Sequence, residues 1–182
     1  MSKTKSFIFQ GKQSFSSSKL EQIRSQFNKS NNLNAEIHSN EIYLILADSD
    51  AFNLDGILDV LSASTQDEEF SFYVGPRLGT ISPWSSKTED IVRNVGLDNI
   101  LRVERLFGYK INQEFVYQDL DVSMFFDRMT QSIYPTKKDF ENLFISDKPR
   151  AINHIDLINK GKKELETANR SFGFAMSDDE IN

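Results

Sequence analysis

The 182-residue sequence has no cysteine, a single tryptophan and only four prolines. Without thiols there is no disulfide and no cysteine nucleophile. Their absence agrees with a cytoplasmic location, which is the expectation here. No apolar run is long enough for a membrane-spanning helix. The opening Met1-Ser2-Lys3-Thr4-Lys5 leads into a short strand-like run and not into the apolar core of a secretory signal. A G-x-x-x-x-G-K-[ST] phosphate loop is also missing. His38 and His154 stand apart from carboxylate or thiol motifs and read as structural residues. The acidic residues show no metal-ligand spacing, so neither a catalytic nor a metal-binding residue is expected. The net charge of −6 argues against nucleic acid as a partner.

What is present describes a folded chain. Fifteen phenylalanines and 38% hydrophobic residues suffice for one domain with a real core plus an appendage. Residues 6–10 read as a short strand. Ser18 and Glu21 have capping-box spacing, and Leu20, Ile23 and Phe27 follow at helical intervals. Residues 35–47 suggest a hairpin turning at Ser39-Asn40, with an outer arm apolar on both faces. Leu54, Ile57, Leu58 and Leu61 mark the next helix, and residues 70–74 a strand. A helix carrying Ile91, Val92 and Val95 is expected to end near Gly96. Residues 100–111 then read as a strand bent near Phe107-Gly108. Val122, Phe125, Phe126, Met129 and Ile133 fit a further helix stripe. The order helix, two strands, helix thus occurs twice. The expected class is α+β: two such units sharing one antiparallel sheet, with helices on one face.

Past Lys137 the character changes, and Phe140, Leu143 and Phe144 suggest a short helix. Pro149 and a mixed charge run mark a boundary, and residues 154–172 read as one charged helix. Ser177 and Glu180 then open another. It stops one turn in, at Asn182, which predicts a piece of a longer chain.

The least generic stretch is residues 75–91. Two glycines and two prolines within nine residues make it irregular and stiff, and Trp84 follows directly. Ser86 and Glu89 predict a helix starting near Lys87, whose first N–H groups would be free for an anion or a partner. Charge is uneven here. Between Pro76 and Lys110 six basic residues face four acidic ones, in a chain that is acidic overall.

Arg77-Leu78-Gly79-Thr80-Ile81-Ser82-Pro83-Trp84-Ser85-Ser86-Lys87, then Asp90-Ile91, resembles the R-x-G-T-x-S-P-W-S-S-K-A-T-D-I segment of the large single-chain phosphoribosylformylglycinamidine synthases. Arg102-Val103-Glu104-Arg105 with Gly108-Tyr109 is similar to that family's R-x-E-R-G-x-A-Y segment. Asp127-Arg128-Met129-Thr130, Asp156-Leu157, Gly161, Ala168-Asn169, Gly173 and Asp179-Glu180-Ile181 have counterparts in the same order. The first 70 residues match poorly. Thr88-Glu89 replaces Ala-Thr, Leu106 stands in place of a Gly and Val95 in place of a Cys.

The resemblance implies a glutamine- and ATP-dependent ligase of purine biosynthesis. Residues 1–145 would be its N-terminal domain, similar to a dimer of the small PurS subunit, and residues 146–182 the start of a helical linker. ATP and Mg would belong to the parent enzyme and not to this segment, which lacks the glutaminase thiol and is expected to be inactive alone. Its partners would be the synthetase and glutaminase domains, between which it packs, with no nucleic acid and no membrane. The residues expected to face a partner or ligand are Arg77, Thr80, Ser82, Trp84, Ser85, Ser86, Lys87, Asp90, Arg102, Glu104 and Arg105. Plainer readings stand beside these. Lys87 and Arg77 are solvated or paired with a carboxylate such as Asp90, Trp84 packs in the core, and Arg102, Glu104 and Arg105 form a surface or interdomain charge ladder. A phosphate- or nucleotide-binding module using Ser85-Ser86-Lys87, and an independent α+β enzyme, are the alternative functions.

Overall fold

The computed structural model describes residues 4–48, 53–66, 68–113, 119–145 and 151–182. The chain divides into two compact units, Met1–Ser146 and Asp147–Asn182. Pro149, where the boundary was expected, lies outside the described residues.

The first unit is a five-stranded sheet of order β1-β2-β4-β3-β5, every neighbouring pair antiparallel. Its strands are β1 (Lys5–Gln13), β2 (Ile37–Ala47), β3 (Phe72–Pro76), β4 (Ile100–Ile111) and β5 (Gln131–Tyr134). Its helices are α1 (Ser17–Asn31), α2 (Leu54–Leu61), α3 (Pro83–Asn94) and the single turn α4 (Lys137–Phe140). The α+β class therefore holds, with β1-α1-β2 and β3-α3-β4 forming two halves joined through the long β2–β4 ladder.

Alternation along β4 explains the layers. Val103, Tyr109 and Ile111 point to one face, where they pack with Ile23 and Phe27 of α1, Ile57 and Leu61 of α2, and Val92 of α3. Leu106 points to the other face and meets Ile42, Leu44, Tyr73 and Phe140 of α4. The three longer helices thus share one face, and α4 covers part of the second. From Ile42 to Ala47, β2 is apolar on both faces because both are covered. Leu44, Ile45 and Leu106 are fully buried, each worth roughly 1.5–3 kcal/mol relative to exposure.

Several local expectations are corrected. Residues 35–47 form no hairpin. Ser39 and Asn40 lie mid-strand, opposite Tyr109 and Gly108, and the Asn40 amide donates to the Gly11 carbonyl at 3.2 Å. Pairing on both sides flattens a dipeptide that would turn if left alone. Between α1 and α2 there is accordingly one strand, β2, and not two. Residues 122–133 form no helix either. A 3-10 turn at Ser123–Phe125 gives way to a turn in which the Asp127 carboxylate accepts from Met129 N at 2.8 Å and Thr130 Oγ1 at 3.1 Å, and then to β5. β4 shows no register shift at Phe107-Gly108, where a bend was expected. The α1 cap is Ser16, not Ser18.

In the second unit the expected single helix is two, α5 (Leu157–Lys160) and α6 (Lys162–Phe172). They part at Gly161, whose φ of 65° lies in the left-handed region that glycine tolerates. The Asn169 side chain and the Met176 backbone exchange hydrogen bonds of 3.0 Å, closing the turn after α6. α7 (Asp178–Ile181) opens on the Ser177–Glu180 capping box read from the sequence. No helix among the described residues is long and apolar enough to cross a membrane.

Candidate docking site

The connection from β3 to α3 begins beneath Gly75, where a Cβ would stand 2.6 Å from Leu106 Cδ2. Only glycine lets the chain leave the sheet at that point. The Tyr134 hydroxyl donates to the Pro76 carbonyl, and Arg77 N donates to the Thr130 carbonyl at 3.3 Å. Thr80 folds the loop on itself, its hydroxyl donating to the Arg77 carbonyl at 2.6 Å. Burial pushes the Tyr134 phenol up to about 12, and the Glu104 charge nearby adds to the shift.

α3 starts four residues earlier than the sequence suggested. Its N-cap is Ser82, with Pro83 at the first helical position and Ser85 N donating to Ser82 Oγ at 3.0 Å. Proline brings no N–H and presets the helical φ, and so the S-P step outcompetes the capping-box spacing at Ser86. Trp84, Ser85, Ser86 and Lys87 are therefore helical residues. The free N–H groups expected at a helix start near Lys87 are not found there, since Ser86 N already donates to the Ser82 carbonyl at 3.3 Å and Lys87 lies past the first turn.

Glu104 holds the loop. It is fully buried and accepts from Ser82 Oγ at 2.6 Å, Ser82 N at 3.2 Å and Arg102 Nη2 at 2.5 Å. The same Arg102 nitrogen donates to the Thr80 carbonyl at 2.8 Å, and the guanidinium lies 5.0 Å from the Phe144 ring. These residues are no surface ladder. Arg102 and Glu104 form a closed internal clamp, while Arg105 lies on the opposite face of β4.

On that opposite face Arg105 donates to Glu41 Oε1 at 3.0 Å, and Glu41 Oε2 accepts from the Tyr43 hydroxyl at 2.7 Å. The Arg105 guanidinium lies 5.0 Å from the Trp84 ring and 5.4 Å from the Phe107 ring. Trp84 also stacks on Tyr43, with centroids 5.8 Å apart. Burial, aided by the hydrogen bond to Glu41, pushes the Tyr43 phenol up.

Between the 76–83 loop, the 129–131 turn, Trp84, Arg105 and Phe107 lies a cavity of about 590 Å³. Of the residues singled out in the sequence, Arg77, Thr80, Ser82, Trp84 and Arg105 line it. Arg102, Glu104 and the buried Ser85 stand behind its wall. Ser86, Lys87 and Asp90 are exposed on α3 and do not line it. Among the described residues neither Arg77 nor Lys87 pairs with a carboxylate. Sequence reasoning passed over Phe107, Gln131 and Glu41, whose places follow from long-range pairing. It noted Met129 and Thr130 in a family segment but gave them no role. No group of three or more His, Cys, Asp or Glu side chains that could hold a metal ion occurs among the described residues. The arrangement is built to bind: it offers rings, guanidinium donors and hydroxyls.

The family model described as formylglycinamide ribonucleotide amidotransferase N-terminal matches residues 7–144. That span takes in both halves of the sheet, including residues 7–70, where the motif resemblance was weak. It also contains the loop, the clamp and the cavity, so the chain belongs to the formylglycinamide ribonucleotide amidotransferase N-terminal family.

Proposed function

We propose that this chain serves as the assembly domain of a phosphoribosylformylglycinamidine synthase. That enzyme converts formylglycinamide ribonucleotide, glutamine and ATP to formylglycinamidine ribonucleotide. On this reading the chain carries no chemical step. It docks the synthetase and glutaminase domains through the cavity face and steadies the complex through which ammonia passes. ATP and Mg are then held by the synthetase, and the location is cytoplasmic.

One observation carries the reading. Three segments resembling the family, around residues 77–91, 102–109 and 127–130, are distant in sequence yet contribute to one concave surface. Exposed apolar side chains, Leu78, Ile81 and Met129, stand among its walls, which suits a surface that a partner covers. The test mixes this chain with a separately purified synthetase–glutaminase portion. Glutamine-dependent product should form only when both are present, and the chain alone should release no ADP. Substrate-dependent ADP release by the chain alone, or full coupled activity without it, overturns the reading.

A further inference from the structure

The charge of the cavity points to what it receives. Its lining holds Arg77 and Arg105, three hydroxyl side chains and Gln131 among apolar groups and, among the described residues, no acidic one, although the chain carries a net −6. Glu41, the carboxylate that pairs with Arg105, does not line it. Arg105 gives Nη1 to Glu41, and its remaining N–H donors have no partner among the described residues. The Trp84 and Phe107 rings flank its guanidinium, with centroids 5.0 and 5.4 Å away. Arg77 is exposed and pairs with no carboxylate among the described residues.

We infer that the cavity takes an Asp or Glu side chain, flanked by apolar residues, from the synthetase–glutaminase portion, with Arg105 as its anchor and Arg77 as a second contact. The inference rests on the docking reading above and adds the chemistry of the occupant. A guanidinium already anchored by Glu41 and flanked by two rings presents its open donors to a carboxylate, with less freedom left to lose than a free side chain has. A protein segment fits better than a small free acid. Leu78, Ile81 and Met129 line the cavity and are 55%, 61% and 80% exposed, more apolar surface than a small free acid would cover. Phosphate fits less well, because Pro83 has no N–H and Ser85 N is already taken by Ser82 Oγ.

The experiment is calorimetric titration of this chain against the purified synthetase–glutaminase portion at low and high salt. Arg77→Gln should weaken binding about tenfold and flatten its salt dependence. The double variant Glu41→Gln/Arg105→Gln removes both charges together, leaving none unpaired in the sheet, and should weaken binding at least as much while keeping a native circular-dichroism spectrum. If that spectrum is lost, Arg77→Gln alone decides. If the unaltered chain fails to bind, the docking reading falls and this inference with it. If the unaltered chain binds and the variants bind equally well, docking stands and the carboxylate is overturned. Inorganic phosphate raising the melting temperature in an Arg77-dependent way, with partner affinity unchanged in the variants, would likewise overturn it in favour of an anion site.

Discussion

Arg102–Glu104 and Arg105–Glu41 are two ion pairs on opposite faces of the same strand, and they differ in what is left open. Glu104 is fully buried and Arg102 nearly so, with side-chain exposures of 0% and 15%. Glu104 accepts from Arg102 and from both donors of Ser82, and Arg102 reaches on to Thr80. Arg105 is 32% exposed, and Glu41 behind it only 7%. The first pair is closed and shapes the loop; the second presents one charged edge to a cavity. Arg102 and Arg105, alike to a reader of the sequence, are thus given different work by the pleat of one strand.

The strongest way to break that comparison is to truncate each pair. Glu104→Ala leaves Arg102 without its carboxylate and Ser82 without an acceptor, and should cost about 3–5 kcal/mol in urea unfolding. Arg105→Gln leaves Glu41 with the Tyr43 hydroxyl still donating and puts an amide donor in place of the guanidinium, and should cost about 1–3 kcal/mol. Equal losses would mean that the two pairs are energetically alike.

A smaller effect is expected at the root of the loop. Gly75→Ala drives a methyl group into Leu106, which is fully buried and has little room to move. The cost should be about 1–3 kcal/mol, as for an overpacked core. A neutral result in thermal melts would show that the loop does not depend on this close approach.

Much of this frame was legible in advance, and the failures share one cause. The α2 stripe, the doubly covered β2 and the second-unit capping box depend on neighbours close in sequence, and each came out as expected. The Ser39-Asn40 turn, the 122–133 helix and the α3 cap failed because a local signal lost to something stronger. Strands on both sides flattened the first. The Asp127 side chain stopped the second. A preset proline φ moved the third. At the site, the loop stood out through its glycines, prolines and tryptophan. Arg102, Glu104 and Arg105 were also singled out, but which faced the cavity depended on strand phase. Glu41 carried no signal at all, since its partner lies 64 residues away.

The clamp also has a pH signature. The Tyr134 phenol is raised from an ordinary value of 10.0 to about 12, by burial first and by the Glu104 charge as well. A raised folded value means that the neutral form is favoured by folding. This contribution is intact below pH 10 and is lost as pH rises from about 10 to about 12. Tyr134→Phe should remove that part of the alkaline loss, and Glu104→Gln should lower the phenol's titration midpoint, read by ultraviolet difference spectra. A midpoint unmoved by Glu104→Gln would show that the carboxylate does not act on the phenol.

The smallest expected effect separates the cavity from the outer face of α3. Lys87 is the fifth residue of the helix, past the first turn where the dipole acts most, so its charge is not misplaced there. Lys87, Ile91 and Val95 recur every four residues, with Ile91 47% and Val95 55% exposed. The stripe therefore faces water and not the cavity. Lys87→Ala should leave the unfolding midpoint unchanged. It should also weaken binding to the synthetase–glutaminase portion less than Arg77→Gln does, because Lys87 lines no part of the cavity. If Lys87→Ala instead weakens binding as strongly as Arg77→Gln, the docking surface extends along α3 and the apolar pair Ile91 and Val95 belongs to it. Ile91→Ser would then be the variant that maps its edge.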